Sequence, residues 1–157
     1  MPEKLTPEIV TIEVQRFWKA FQERNGDALT DLYSPEAMVF SSSNSRPEPG
    51  RLASARRQRE YFQPQTTIKV ALGEILLLGD SAAVCGYNFD FEAHHVATGL
   101  GSNGEEHIHQ GRVTQVFSYN TEGQLRVVHE HLRCAEVSCR AAPSCSVAGV
   151  SYLYLTV

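Results

Sequence analysis

The sequence predicts a single α+β domain in which N-terminal helices pack on one face of a strongly bent antiparallel sheet. Its 157 residues suit one domain. Apolar residues recur at helical spacings of three and four as far as Phe62, whereas from Thr66 onward they follow the pattern of long strands. Helices followed by antiparallel strands are typical of the α+β class.

Two helices are expected before the first strand. Thr6-Pro7-Glu8 is a helix start, with Thr as the N-cap and Pro at the first helical position. Asn25-Gly26 is a typical C-terminal stop, and Asp27 is expected to cap a short second helix that ends at Ser34-Pro35. The apolar face of the first helix comprises Val10, Val14, Phe17, Trp18 and Phe21.

A short strand and a third helix follow. Ala37–Ser41 is a β run, and Ser42–Gly50 is a polar loop. Arg51–Phe62 is predicted to be helical, with one face formed by Leu52, Ala55, Arg59 and Phe62. The segment Arg46–Glu60 carries five Arg against two Glu, and we interpret it as a solvated loop and helix face.

Four long strands form two predicted hairpins. Thr66–Leu78 and Ser81–His95 meet at Gly79-Asp80. His107–Tyr119 and Gln124–Cys134 meet around Asn120–Gly123. Along the second strand, alternation predicts that the odd residues from Cys85 to Phe91 point inward.

The turn of the second hairpin predicts Val113 opposite Glu130, Gln115 opposite Val128 and Thr114 opposite His129. A β-bulge or a slip of one residue would exchange the two faces. The expected inner face comprises His107, His109, Val113, Gln115, Phe117, Val128, Glu130 and Leu132. The expected outer face comprises Arg112, Thr114, Val116, His129, His131 and Arg133.

Composition narrows the class of protein. The net charge of −4 lacks the basic footprint of a nucleic-acid binder. The longest aliphatic run, Ile75–Leu78, is far too short for a membrane helix, and the N-terminus has no apolar signal segment. We therefore expect a cytoplasmic protein without nucleic-acid or membrane partners.

The C-terminal region differs from the rest of the chain. We expect one domain over residues 1–134 and an extension over residues 135–157, whose apolar end, Val150–Val157, is a candidate added strand. The four cysteines are too sparse for a disulfide scaffold and fit no common zinc spacing, so we expect reduced thiols.

The sequence resembles the SnoaL-like and ketosteroid-isomerase-like branch of the nuclear transport factor 2-like (NTF2-like) superfamily. The pieces that carry the resemblance are RFWKAFQERNGDALTDLYSPEAMVF, REYF, GDSAAVCGYNFDF and GRVTQVFSYNTEGQLRVVHEHL. The ending VVHEHL is also similar to the association domain of calmodulin-dependent kinase II. The resemblance implies a cone-shaped fold with a pocket between helix and sheet, and a homodimer formed through the outer sheet face.

The resemblance argues against steroid isomerisation. That reaction needs a carboxylate base and acidic donors for the oxyanion. The positions that the resemblance implies for the base, the Tyr donor and the Asp donor hold Ser41, Phe17 and Gln115. None of the three keeps its acid–base group, although the Gln115 amide can still donate hydrogen bonds.

Other polar groups are candidate catalytic residues. Glu130 between apolar neighbours is a candidate general acid or base, and His107 and His109 titrate near neutrality. The alternative is that all three lie at a solvated rim. The candidate ligand-binding residues are Phe17, Trp18, Phe21, Tyr87, Phe89, Val113, Gln115 and Phe117.

No cofactor or metal is expected. The six histidines occur as three close pairs, but the predicted register places His107/His109 and His129/His131 on opposite faces, whereas a catalytic zinc needs three convergent ligands.

Three functional classes remain open. They are a pocket protein for a small apolar or aromatic molecule, a cofactor-free isomerase, cyclase or hydratase acting on a polyketide- or terpenoid-like substrate, and an oligomerisation module with a vestigial pocket. The expected homodimer surface comprises Thr114, Val116, His129 and His131.

Overall fold

Three helices precede most of the sheet in the computed structural model, which describes residues 3–41, 45–61, 65–94, 106–137 and 154–155. The helices are α1 (Pro7–Gln22), α2 (Gly26–Leu32) and α3 (Gly50–Tyr61). The strands are β1 (Tyr33–Ser41), β2 (Glu48–Pro49), β3 (Gln65–Leu78), β4 (Ala82–His94), β5 (Glu106–Tyr119), β6 (Leu125–Val137) and β7 (Tyr154–Leu155).

Helix α1 begins as its sequence predicts. The Thr6 hydroxyl accepts a hydrogen bond from the Ile9 amide at 3.4 Å, and Pro7 occupies the first turn, where its missing N–H costs nothing. The boundary with α2 differs from the prediction. Asn25, not Asp27, is the N-cap of α2, because its side chain accepts from the Ala28 amide at 3.0 Å. Arg24 makes the preceding turn with a φ of 53°.

The described strands form one sheet in the order β2-β1-β6-β5-β4-β3-β7. The predicted α+β class is confirmed, but the sheet is mixed and not purely antiparallel, because β1 runs parallel to β6. Tyr154 and Leu155, within the predicted extension, pair with Ala71 and Val70 of β3. The expected domain boundary at residue 134 stays a prediction. Residues 138–153, Phe62 and the Gly99–Gly104 loop lie outside the described residues.

Alternation along β4 is confirmed. Cys85, Tyr87, Phe89 and Phe91 are at most 5% exposed, whereas the side of the strand that carries Asn88 faces water. The inner face of β4 therefore presents three aromatic rings to α1.

The predicted register of β5 and β6 is wrong by two residues over most of the hairpin. Gln115 lies opposite Glu130, and Thr114 lies opposite His131. The register changes between Val116 and Phe117, which leaves Val128 of β6 as an extra residue in a β-bulge. An even shift preserves the two faces, so Gln115 and Glu130 both lie on the buried side.

The bulge reverses the alternation of β6 at Val128. Leu125 and Val127 are buried before it, and Glu130 and Leu132 are buried after it. Val128 itself is half-buried, so it is less enclosed than its predicted place on the inner face implies. The predicted outer face is correct, since none of its six residues is buried.

No helix within the described residues is long and apolar enough to cross a membrane.

Candidate functional site

A chain of buried polar side chains runs from α1 across the inner face of the sheet. Trp18 Nε1 donates to Tyr87 Oη at 2.8 Å, and Tyr87 Oη donates to Gln115 Oε1 at 2.7 Å. Gln115 Nε2 then donates to Glu130 Oε2 at 2.8 Å. Each donor is directed toward Glu130, so the carboxylate is the acceptor that ends the chain.

A second branch reaches the same carboxylate from α3. Arg57 Nη1 donates to Tyr33 Oη at 2.6 Å, and Tyr33 Oη donates to Glu130 Oε2 at 2.9 Å. Arg57 Nη1 also forms an ion pair with Glu130 Oε1. The side chains of Arg57 and Glu130 are only 1% and 0% exposed, so the two charges offset each other in a medium of low dielectric constant.

Small residues on α3 bring Arg57 into the interior. Gly50, Ala53 and Ser54 are buried on the same face of the helix as Arg57, and Gly50 has no room for a Cβ against β1. Leu52, predicted to share the face of Ala55 and Arg59, is 56% exposed.

The interpretation of this segment as a solvated helix face is therefore wrong for Arg57. Small residues at helical spacing before Arg57 were the signal that could have predicted its burial.

Burial keeps the tyrosines of the network protonated. Desolvation is the main cause that raises the pKa of Tyr33 well above its ordinary value, and the negative charge of Glu130 adds to the effect while Arg57 opposes it. Desolvation likewise raises the pKa of Tyr87. Both phenols therefore remain hydrogen-bond donors far into the alkaline range.

A depression with an apolar wall lies beside this network. Its cavity volume is about 20 Å³, which has room for one water molecule. The depression is partly open, and it contains about 300 Å³ of empty space when open solvent is counted. The lining residues that the structure describes are Trp18, Phe21, Arg57, Phe89, Phe91, Leu132 and Cys134. Arg57 is the one charged side chain among them.

Aromatic packing shapes the floor of the depression. The rings of Trp18 and Phe89 lie 4.8 Å apart at an angle of 35°, and the rings of Trp18 and Phe21 lie 5.3 Å apart. Because Trp18 Nε1 is also bonded to Tyr87, the indole ring joins the depression to the polar network.

The structure divides the predicted site residues into three sets. Those that line the depression are Trp18, Phe21 and Phe89. Those that are buried without lining it are Phe17, Tyr87, Val113, Gln115, Phe117 and Glu130. The side chains of His107 and His109 are outside the described part of the chain, although their backbones pair with Ala93 and Phe91 of β4.

The predicted catalytic roles of Glu130, His107 and His109 stay predictions. The two oxygens of Glu130 are engaged by Gln115, Tyr33 and Arg57. Sequence reasoning named neither Arg57 nor Phe91, Leu132 and Cys134 as ligand-binding residues. For Leu132, its predicted place on the inner face was a sufficient signal.

Two of the positions compared with steroid isomerases have different surroundings from an acid–base site. Ser41 stands at the position compared with the catalytic base. Arg56 Nη2 donates a hydrogen bond to the Ser41 hydroxyl at 3.0 Å, so a cation lies beside that position. The Phe17 ring packs edge-on against Tyr33 with centroids 5.7 Å apart. Within the described residues, no group of three His, Cys, Asp or Glu side chains is arranged to hold a metal ion.

Comparison with solved structures identifies the fold. An NTF2-like superfamily protein from Salmonella enterica superposes with a TM-score of 0.65 at 20% identity, over 87% of this chain and 94% of that one. A putative calcium/calmodulin-dependent protein kinase II association domain from Xanthomonas campestris gives 0.64 at 16% identity, over 86% and 95%. A ketosteroid isomerase-like protein from Erwinia carotovora gives 0.58 at 11% identity, over 84% and 96%.

The chain therefore has the NTF2-like fold, as the resemblance implied. No model of a protein family matches the sequence, and no curated protein matches it. Since all three structures are less than 25% identical to this chain, the similarity identifies its fold but does not assign its chemistry.

Proposed function

We propose that this protein binds a small apolar or aromatic molecule in the depression beside Trp18. The observation that carries the proposal is the composition of the wall, whose described residues are apolar or aromatic apart from Arg57. Ligand sites are lined mostly by apolar and aromatic side chains. Because the cavity volume is only about 20 Å³, a compound with one ring would lie largely in the open mouth of the depression.

The single tryptophan of the chain provides the test, because Trp18 lines the depression. In ¹⁵N-labelled protein its indole N–H gives one unique resonance. We expect toluene, p-cresol and benzamide to shift this resonance with saturable curves. Absence of any saturable shift with all three compounds would contradict the proposal.

A matched pair of variants places the binding. Leu132 and Leu125 lie on β6 and are each 6% exposed, but only Leu132 lines the depression. Leu132→Phe should fill the space and weaken binding at least tenfold, whereas Leu125→Phe should bind like the wild type. Equal loss of binding in both variants would indicate general repacking and contradict this location.

We also propose that two copies of the chain associate through the outer face of the sheet. The register aligns a transverse row of side chains across five strands, and it comprises Leu76, Val84, Val116, His129 and Met38. Leu76 and Met38 are 62% and 48% exposed in one copy. An ordered apolar row on a water-facing sheet is typical of an interface, and a two-fold dimer is the commonest solution.

Further contacts support a self-associating face. The Phe40 ring lies 5.7 Å from the His129 ring and 6.2 Å from the His131 ring, which extends the row with aromatic surface. The similar protein from Xanthomonas campestris is described as an association domain. An oligomerisation module is therefore the second candidate function, and it is compatible with a ligand site on the other face of the sheet.

Light scattering at micromolar concentration tests the association. We expect a mass near twice 17.4 kDa for the wild type. Met38→Lys/Leu76→Lys should give the mass of one copy. Ile12→Lys/Leu52→Lys is the matched control, since those residues are 53% and 56% exposed but lie on α1 and α3. A wild type with the mass of one copy would contradict the association.

A further inference from the structure

Arg57 and Glu130 together determine the charge that the ligand site accepts. Arg57 lines the depression, but its guanidinium lies behind the wall, where it contacts Tyr33 and forms an ion pair with Glu130. Both side chains are almost completely shielded from water. A cation directly behind an apolar wall ordinarily attracts an anion, but here a carboxylate of the protein already offsets that charge.

The surrounding charges leave this balance unchanged. The next cation toward Tyr33 is Arg56, and its Nε lies 2.8 Å from Glu48 Oε2 in a pair of its own. The remaining described side chains of the wall are uncharged. Among the residues that the structure describes, the wall and the groups directly behind it therefore carry no net charge.

Burial makes that balance selective. A ligand carboxylate placed beside Arg57 would add a second negative charge next to Glu130, in surroundings that solvate charge poorly. It would have to displace Glu130 from Arg57 or be buried without a counter-charge. A neutral ligand incurs neither cost.

We propose that Glu130 acts as an internal counter-ion that makes the site selective for uncharged one-ring compounds over the corresponding carboxylates. The inference rests on the proposed function, since it concerns the selectivity of the same depression. In this role Glu130 is a specificity-determining residue that acts through Arg57, and it need not touch the ligand.

Benzamide and benzoate test the inference because they have almost the same shape and differ in charge. Titration of the Trp18 indole resonance at pH 7.5 should give a Kd at least tenfold lower for benzamide than for benzoate in the wild type. The variant Glu130→Gln removes the internal counter-charge while it keeps most of the volume. In that variant the order should reverse, with benzoate binding more tightly than benzamide.

Glu13→Gln is the matched control. Glu13 is a second buried glutamate, 9% exposed, but it lies on α1, pairs with Arg16 and does not line the depression. This variant should keep the wild-type preference for benzamide. A reversal in Glu13→Gln as well would show that overall charge, and not the pair with Arg57, governs selectivity, and it would overturn the inference.

The outcomes separate the inference from the proposed function. Benzoate binding as tightly as benzamide to the wild type would overturn the inference and leave the ligand site in place. Binding of toluene without binding of benzamide would also overturn the inference and leave the ligand site in place. No saturable shift with any of these compounds would overturn both. Since the comparison in the wild type is decisive alone, the inference remains testable if Glu130→Gln does not fold.

Discussion

The Glu130 carboxylate on β6 accepts a hydrogen bond from the Tyr33 hydroxyl at the start of β1, with 2.9 Å between Tyr33 Oη and Glu130 Oε2. Both side chains lie in the interior. The parallel pairing of β1 with β6 makes this contact possible, because it places Tyr33 opposite Val127 and Val39 opposite Glu130. Arg57 reaches the same two residues from α3. One carboxylate thus connects the first strand, the last long strand and a helix.

Removal of one partner of the Arg57–Glu130 pair should lower the free energy of unfolding much more than replacement of both partners with apolar side chains. Removal of one partner leaves a buried charge, which costs about 3–5 kcal/mol. We expect Arg57→Met to lower the free energy of unfolding by that amount, measured by urea denaturation. The double variant Arg57→Met/Glu130→Met should lose far less than the sum of the two single variants. Additive losses would contradict a coupled buried pair.

Gly111 of β5 should be the strand glycine most sensitive to a methyl group near the site. A Cβ there would overlap the Phe89 ring, and Arg133 O would be 2.7 Å away. Gly86 has no such neighbour within 3.9 Å. Gly111→Ala should lose about 1–3 kcal/mol through overpacking and shift the Trp18 emission, since Phe89 packs on that ring. Gly86→Ala is the control and should change neither; equal effects would refute the argument.

Stability should fall in mildly alkaline solution because of Cys85. Burial raises the pKa of its thiol to about 12, above the ordinary value of 9.0. Between those values the unfolded chain loses a proton that the folded chain keeps, so the free energy of unfolding decreases as pH rises. One such group contributes about 1.4 kcal/mol per pH unit. Urea midpoints at pH 9 and pH 10 should therefore fall less in Cys85→Ala than in the wild type. Parallel decreases would contradict this assignment.

The presence of a residue at the Val128 bulge should matter much more for stability than the identity of its side chain. Its deletion would turn either Leu125 and Val127 or Glu130 and Leu132 toward water. Exposure of two apolar side chains alone costs roughly 3–6 kcal/mol, so circular dichroism should show an unfolded or strongly destabilised chain. Val128→Ala should lose about 1 kcal/mol or less, because the side chain is only half-buried. Native-like stability of the deletion variant would refute the bulge.

Local signals predicted the helices and the strand faces well. The start of α1 depends on Thr6, Pro7 and residues within one turn, and the faces of β4 depend on a period of two over seven residues. Such features are determined by neighbours in the chain. Alternation along β5 also predicted the buried side of Gln115 correctly. Glu130 lies on that side as well, although the register that placed it there was wrong by two residues, because an even shift preserves the faces.

Features that depend on distant contacts were not predictable in the same way. An arginine on a helix rich in arginine is ordinarily solvated, and the burial of Arg57 becomes favourable only with Glu130 and Tyr33 beside it. The register of β5 and β6 required knowledge of the extra residue at Val128, which alternation cannot reveal. The complete set of residues that line the depression depends on both the burial of Arg57 and the register of β6, so it could not be predicted either.

The contact between Tyr33 and Glu130 joins residues 97 positions apart, and this separation has a consequence for folding. Contacts between distant positions close slowly, because a long loop must be ordered first. During synthesis, α1, α2 and α3 leave the ribosome long before β6. The Glu130 carboxylate that Tyr33 and Arg57 contact in the folded protein is therefore not yet present. We expect the nascent helices to stay loosely associated until β6 emerges and supplies the missing negative charge.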